Sequence, residues 1–214
     1  MKVLKYYLSL LLFFFVINSC NVLDEEPFTQ PSTENFYQNE TDALAALTAT
    51  YARLKSGIGY YKQQFMPTLF ASSDQGLSTY LYNEFKRGIV TSTNQSLNNL
   101  WKELYLGIRE ANNVIAKVPD IEMDEELKNR IIAEAKFLRA LNYFNLVRCF
   151  GEVPLRLTPV EAGNDQGLAV SSIVEIYDSI IDDLNYASIY CWGKNESRGN
   201  YTNDLGRATN TAAH

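Results

Sequence analysis

Beyond its first forty residues, much of the chain carries apolar residues at steps of three and four, the period of a helix with one buried face. From Thr41 to Ser56 the stripe is Leu44, Leu47, Tyr51 and Leu54, with Asp42 in the first turn and Gly57 just past the end. From Ser96 to Val118 the step is kept by Leu97, Leu100, Trp101, Leu104, Ile108, Ala111, Ile115 and Val118, and Pro119 stops the run. A third helix is predicted from Asp124, as its cap, through Glu125 and Glu126 to Phe150, with Gly151 as the left-handed stop. Its apolar residues fill two adjoining faces. Leu127, Ile131, Ala135, Leu138 and Leu141 lie on one, and Ile132, Phe137, Ala140, Phe144 and Val147 on the other, so this helix belongs between neighbours at the centre of the core. A fourth opens on the capping box of Ser172 and Glu175 and carries Ile173, Ile176, Tyr177, Ile180, Ile181, Leu184 and Ala187 to an end before Trp192-Gly193.

Only Pro119 to Met123 separate the second and third helices, which predicts an antiparallel hairpin. The fold class expected is predominantly all-α, built of antiparallel helical hairpins with long loops; no clean repeat period is visible. Between Gly57 and Gln95 the periodicity vanishes and Tyr, Ser, Thr, Asn and Gln dominate, a stretch too polar for core. Loops of that length are usually functional or disordered.

The N-terminus has a different pattern. Tyr6 to Ile17, apolar but for Ser9, follows Lys2 and Lys5; the stretch is too short to cross a bilayer core of about 30 Å but suits a signal-peptide core. Ile17-Asn18-Ser19-Cys20 resembles a bacterial lipobox, in which Cys20 becomes the lipidated first residue and its acyl chains hold the protein at a membrane. A plain secretory signal with Cys20 as an incidental thiol is the weaker alternative. The expected organisation is a signal peptide at 1–19, a lipidated tether at 20–39 and a helical domain at 40–214. No other segment calls for a membrane.

The 214 residues are 46% hydrophobic and 21% charged, an ordinary folded composition, with a net charge of −6. Loss of Lys2 and Lys5 with the signal would make that −8, which argues against a nucleic-acid partner. Cys149 and Cys191 stay behind, and no spacing rule supports a disulfide between them; Cys149, beside Phe150 in a strong helix, reads as a buried free thiol.

Catalytic chemistry finds little support. The single histidine is the last residue, His214, which removes histidine triads and two-histidine metal sites. Gly57-Ile58-Gly59 lacks the rest of a nucleotide-binding loop, and Asp182-Asp183 and Asp124-Glu125-Glu126 read as solvated or dipole-paired acids on helix surfaces. No enzyme activity, cofactor or metal is expected. The tyrosine- and amide-rich loop suits a carbohydrate, because Tyr faces stack on sugar rings while Asn and Asp bond hydroxyls. Its candidate ligand residues are Tyr60, Tyr61, Asp74, Tyr80, Tyr82 and Asn83. The alternation of Tyr80 and Tyr82 fits equally well a short strand covering the helices.

Ala133-Glu134-Ala135-Lys136-Phe137-Leu138-Arg139-Ala140-Leu141-Asn142-Tyr143-Phe144, followed by Val147 to Leu155, resembles the signature of the SusD/RagB family of Bacteroidetes outer-membrane lipoproteins. Cys20 with Leu23-Asp24-Glu25-Glu26-Pro27, the stretch from Trp101 to Ile115, and Gly206-Arg207-Ala208-Thr209 extend the resemblance over nearly all of residues 20–214. It implies a tetratricopeptide-like scaffold on the outer membrane's surface that captures oligosaccharide or polysaccharide and caps a TonB-dependent (SusC-like) transporter barrel, without cleaving the glycan. Asp24 to Glu26 is similar to the family's surface-export signal, and the Gly57 to Asn99 segment matches the family's ligand loops by position. Family members are substantially longer. The expectation is therefore a truncated N-terminal region in which Thr209 caps only a first helical turn and the core behind the third and fourth helices is left open. The alternatives are a protein-binding scaffold that docks on the transporter without sugar affinity, or a non-functional fragment.

Overall fold

A computed structural model describes residues 36–55, 61, 65–73, 83–160, 167–198, 201–202 and 206–214. The chain divides into Met1–Phe36 and Tyr37–His214, and the elements below belong to the second unit. In order they are α1 (Glu40–Lys55), α2 (Met66–Ala71), α3 (Asn83–Arg87), α4 (Gln95–Lys117), a 3-10 turn (Val118–Asp120), α5 (Glu125–Phe150), β1 (Val153–Pro154), β2 (Val170–Ser171), α6 (Ile173–Tyr190), β3 (Ser197–Arg198), β4 (Tyr201–Thr202) and α7 (Asn210–Ala213). The strands form two short antiparallel ladders, with Val153 opposite Ser171 and Ser197 opposite Thr202.

The long helices start and stop where their local chemistry says they should. Asn94 caps α4 by accepting from the Ser96 and Leu97 amides, Asp124 caps α5 through the Leu127 amide, and Ser172 and Glu175 close a reciprocal box on α6. Gly151 ends α5 at φ 74°, a conformation that a side chain would strain.

Helix α5 lies between α4 and α1 on one side and α6 on the other, and is buried around most of its circumference. The α4–α5 pair is antiparallel: Trp101 meets Phe150, Gly107 meets Asn142, and Asn112 bonds Arg139. Leu100, Leu104 and Ile108 of α4 join Tyr143, Leu146 and Val147 of α5 and Ile176 and Ile180 of α6 in one core.

Four details differ from the pattern. The buried stripe of α1 runs through Ala43, Ala46, Leu47 and Thr50, while Leu44 is half-buried, because the small residues let the backbone approach α4 and α5. The stretch from Gly57 to Gln95 is not wholly too polar for core: Phe65, Ala71 and Phe85 are buried and α2 and α3 are helical. Cys149 is a free thiol but exposed, since it sits on the outer side of the last turn of α5; Cys191 is free and buried. Asp183 is not a surface acid but is 2% exposed, whereas its neighbour Asp182 faces outward.

Asp183 is buried because the cations of α5 reach it. Arg139 grips it twice, Nε to Oδ2 at 2.7 Å and Nη2 to Oδ1 at 2.8 Å, and Lys136 Nζ reaches Oδ1 at 3.0 Å. A second buried centre lies at Glu134, which accepts from Arg130 at 2.7 Å, from the Tyr51 hydroxyl at 2.7 Å and from Arg207 at 3.3 Å. The Tyr51 oxygen in turn accepts from the Ala208 amide at 2.8 Å, fastening the chain end to α1 and α5. Arg130 also stacks on the buried Trp192, 4.3 Å from its ring centroid.

Candidate functional site

Of the residues expected to meet ligand or lipid, Cys20, Tyr60, Asp74, Tyr80 and Tyr82 lie outside the described residues, and Asn83 opens α3. Tyr61 packs against the main core, its ring edge-on to Phe65 at 5.7 Å between centroids. Phe65 is itself buried, with the Arg148 guanidinium 5.7 Å from its ring. At the other end Asn94, besides capping α4, donates to the Glu84 carboxylate at 2.6 Å. The tyrosine- and amide-rich segment is therefore pinned at both flanks to the helical scaffold. Between those pins Met66, Leu69, Phe70 and Ile89 are exposed.

A second feature lies along α4. Trp101, Tyr105, Ile108 and Asn112, spaced four, three and four, form the floor of a cleft of about 350 Å³. Its far wall is the segment after β1, carrying Arg156, Thr158 and Val160. That wall is held by side chains bonding its backbone. Tyr105 Oη donates to the Pro154 carbonyl at 2.8 Å and Asn112 Nδ2 to those of Arg156 and Thr158 at 3.0 and 3.3 Å. Arg139 donates to the Leu157 carbonyl at 3.0 Å, while Tyr143 Oη donates to the Arg156 carbonyl at 2.8 Å and accepts its amide at 2.7 Å. Burial raises the tyrosines in this arrangement above their ordinary range, Tyr143 to about 12. They remain neutral donors at physiological pH. Trp101, 36% exposed, leans on Phe150 and Tyr105 with centroids 5.1 and 5.0 Å away.

Such an arrangement can bind, since it offers an exposed ring and cationic rims. Among the described residues no cluster of three histidine, cysteine or acidic side chains could hold a metal, and no helix is long and apolar enough to cross a membrane.

Residues 21–212 match a family model of SusD-like proteins, described as starch-binding and associating with the outer membrane. The chain belongs to the SusD-like family. SusD-like protein P2 of Formosa agariphila is 28% identical over 191 residues, which cover 86% of this chain and 37% of the relative. A laminarin-binding SusD-like protein of known structure superposes with a TM-score of 0.68 at 31% identity, covering 83% of this chain and 38% of its own. A SusD superfamily structure from Bacteroides vulgatus gives a TM-score of 0.71 at 25% identity, again over 83% of this chain and 38% of that one. This SusD-like chain thus has the family's helical, tetratricopeptide-like fold and spans little more than a third of the length of these relatives.

Sequence reasoning missed the cleft of this SusD-like chain. Trp101 and Ile108 belong to the predicted apolar stripe, and Ile108 is indeed buried, whereas Tyr105 and Asn112 fall outside that stripe and carry no assigned role in the sequence reading. The available signal was the adjacent stripe, where Lys102 and Arg109 flank Leu106 at the same spacing.

Behind α5 and α6 a second hollow of about 350 Å³ is apolar, lined by Phe137, Leu141, Phe144, Tyr177, Ile181 and Ala212. Thr209 does cap the one-turn α7, accepting from the Ala212 amide.

Proposed function

We propose that this chain is the N-terminal part of a cell-surface glycan-binding lipoprotein that captures oligosaccharide for a TonB-dependent outer-membrane transporter. The observation that carries the reading is the family match across residues 21–212, joined by the 31%-identical relative that binds laminarin. Cys20 anchors the protein through its acyl chains, and Asn21 to about Gln38 serves as the tether. The segment containing Tyr60, Tyr61, Asp74, Tyr80, Tyr82 and Asn83 meets the sugar, a reading supported by its composition and its position in the family. The protein binds its glycan and does not cleave it.

The test is electrophoresis of the purified chain through gels containing laminarin, xyloglucan, starch or other polysaccharides. Retardation in at least one is expected, with loss when Tyr60, Tyr80 and Tyr82 are changed together to Ala. Unchanged mobility across the panel refutes the reading. A protein-binding scaffold without sugar affinity is the second reading, favoured by the apolar hollow behind α5 and α6. Capture of the transporter barrel by the Tyr→Ala variant, with no glycan retardation of either form, would establish it in place of the first.

A further inference from the structure

Helix α6 turns Ile176, Ile180, Asp183 and Ala187 to the core, while Ile173, Val174, Tyr177 and Ile181 on its adjoining side are 47%, 68%, 37% and 52% exposed. At 3.6 residues per turn those four fall within about 100° of the helix circumference, and the half-buried Leu184 lies among them, so they form one apolar stripe. Helix α5 supplies the facing wall, Phe137, Leu141 and Phe144, and the hollow of about 350 Å³ lies between the two. Single exposed apolar side chains are ordinary; a contiguous stripe beside an apolar hollow marks an interface. Two exposed charges border it. Arg148, one turn beyond Phe144 on α5, lays its guanidinium over the Phe144 ring, 4.5 Å from the centroid. Asp178, on α6, edges the stripe beside Val174 and Ile181, and neither charge forms a salt bridge among the described residues.

The two helices are antiparallel, since Val153 just after α5 pairs with Ser171 just before α6, and Asn129 and Tyr186 bond at the other end. Phe144 and Tyr177 thus line the same end of the hollow, and the guanidinium turned back over Phe144 stands near the height of Asp178 on the opposite wall. Such a face is complementary to itself. In a dimer whose two-fold axis runs along the hollow, the α5 wall of each copy faces the α6 wall of the other, and every contact is made twice. Arg148 of each copy then meets Asp178 of the other, and the prominent Val174 and Ile181 pack on the opposing Phe137, Leu141 and Phe144. We propose that the α5–α6 face is the interface of a homodimer of this chain. A second copy brings the matching knobs, hollow and charges by symmetry, which is what selects it as the occupant. The proposal does not rest on the glycan-binding reading.

The experiment is sedimentation equilibrium of the purified chain over a concentration series from about 1 μM to about 1 mM. A reversible monomer–dimer equilibrium is expected. Ile181→Glu sets a carboxylate in the apolar contact and should weaken the dimer at least about tenfold. Because Ile181 is exposed in the single chain, the far-UV circular dichroism of that variant should be unchanged. Arg148→Glu and Asp178→Arg each oppose like charges and should separate the copies. An equimolar mixture of those two variants should associate again, since both contacts of the mixed pair then join opposite charges. Association through the apolar Tyr6–Ile17 stretch would be indifferent to these changes and to mixing. A chain that is monomeric at every concentration, a dimer that Ile181→Glu leaves intact, or charge variants that stay apart when mixed overturn the proposal. Capture of the transporter barrel by a monomeric chain, lost in Ile181→Glu, would give the face to that partner and overturn it too. Glycan retardation is read separately, so none of these results bears on that reading.

Discussion

Removing the carboxylate of Asp183 tests how the two central helices are joined. In Asp183→Ala the Arg139 guanidinium, 6% exposed, loses bonds of 2.7 and 2.8 Å, and Lys136 loses its 3.0 Å partner. What remains around Arg139 is neutral, the Asn112 side-chain oxygen at 2.8 Å and the Leu157 carbonyl at 3.0 Å. An isolated charge in that setting destabilises the fold by about 3 to 5 kcal/mol. With a urea slope of about 2 to 3 kcal/mol per molar, the unfolding midpoint should fall by about 1 to 2 M. Arg139→Met should cost a similar amount. The double variant Arg139→Met/Asp183→Leu removes both charges and should cost only about 1 to 3 kcal/mol, for the acceptors left on Asn112 and Leu157. The measurement is urea unfolding followed by tryptophan fluorescence and far-UV circular dichroism, arranged as a double-mutant cycle. A loss below about 1 kcal/mol in Asp183→Ala, or a double variant as damaged as the two singles added together, would refute the reasoning.

Three further outcomes follow from other positions. Burial pushes the Tyr143 hydroxyl up to about 12. Its folded value thus lies above the roughly 10 of an unfolded tyrosine, so its contribution is whole below about pH 10 and is lost as pH rises through about 12. Tyr143→Phe should show a shallower decline of urea midpoint over that window, and an unchanged slope would count against it. Gly151→Ala, at φ 74°, should lower stability by about 1 to 3 kcal/mol while Gly167→Ala, with open space around it, costs far less; equal midpoints would contradict this. In the native chain Ellman's reagent should label Cys149 and spare Cys191, whose thiol burial raises to about 12. Cys149→Ser should remove the fast reaction, and rapid labelling that survives in it at Cys191 would show that site to be open.

Periodicity located the long helices, and the Asp124 and Ser172 caps were legible, because those features are local: a side chain three residues from an amide, or a proline after the last turn, acts without the rest of the fold. The Asn94 cap of α4 went unread. The partnership of charges was not local. Asp183 lies 44 positions from Arg139, and its sequence neighbours give it the look of an exposed acid. The family signature becomes physically intelligible once folded, since its Glu134 and Arg139 are buried ion-pair centres and Arg207 and Ala208, from the matching stretch at 206–209, close onto the Glu134–Tyr51 pair. Phe65 and Phe85 escaped notice because a single aromatic in a polar run has no period to announce it. The cleft escaped because Trp101 and Ile108 of its floor sit in the apolar stripe, while the wall that faces them comes from positions 156–160, far along the chain.

The wall after β1 is positioned through carbonyl oxygens at 154, 156, 157 and 158, each met by a side chain from α4 or α5. Every residue type supplies the same carbonyl. The side chains at 156, 158 and 160 can therefore be exchanged without shifting the path of the backbone, so the rim's charge and shape are separable from the architecture that supports it. A selection experiment confined to those three positions would sample new ligand preferences on an unchanged frame, whereas the same diversity placed at Tyr105, Asn112, Arg139 or Tyr143 would dismantle the frame itself.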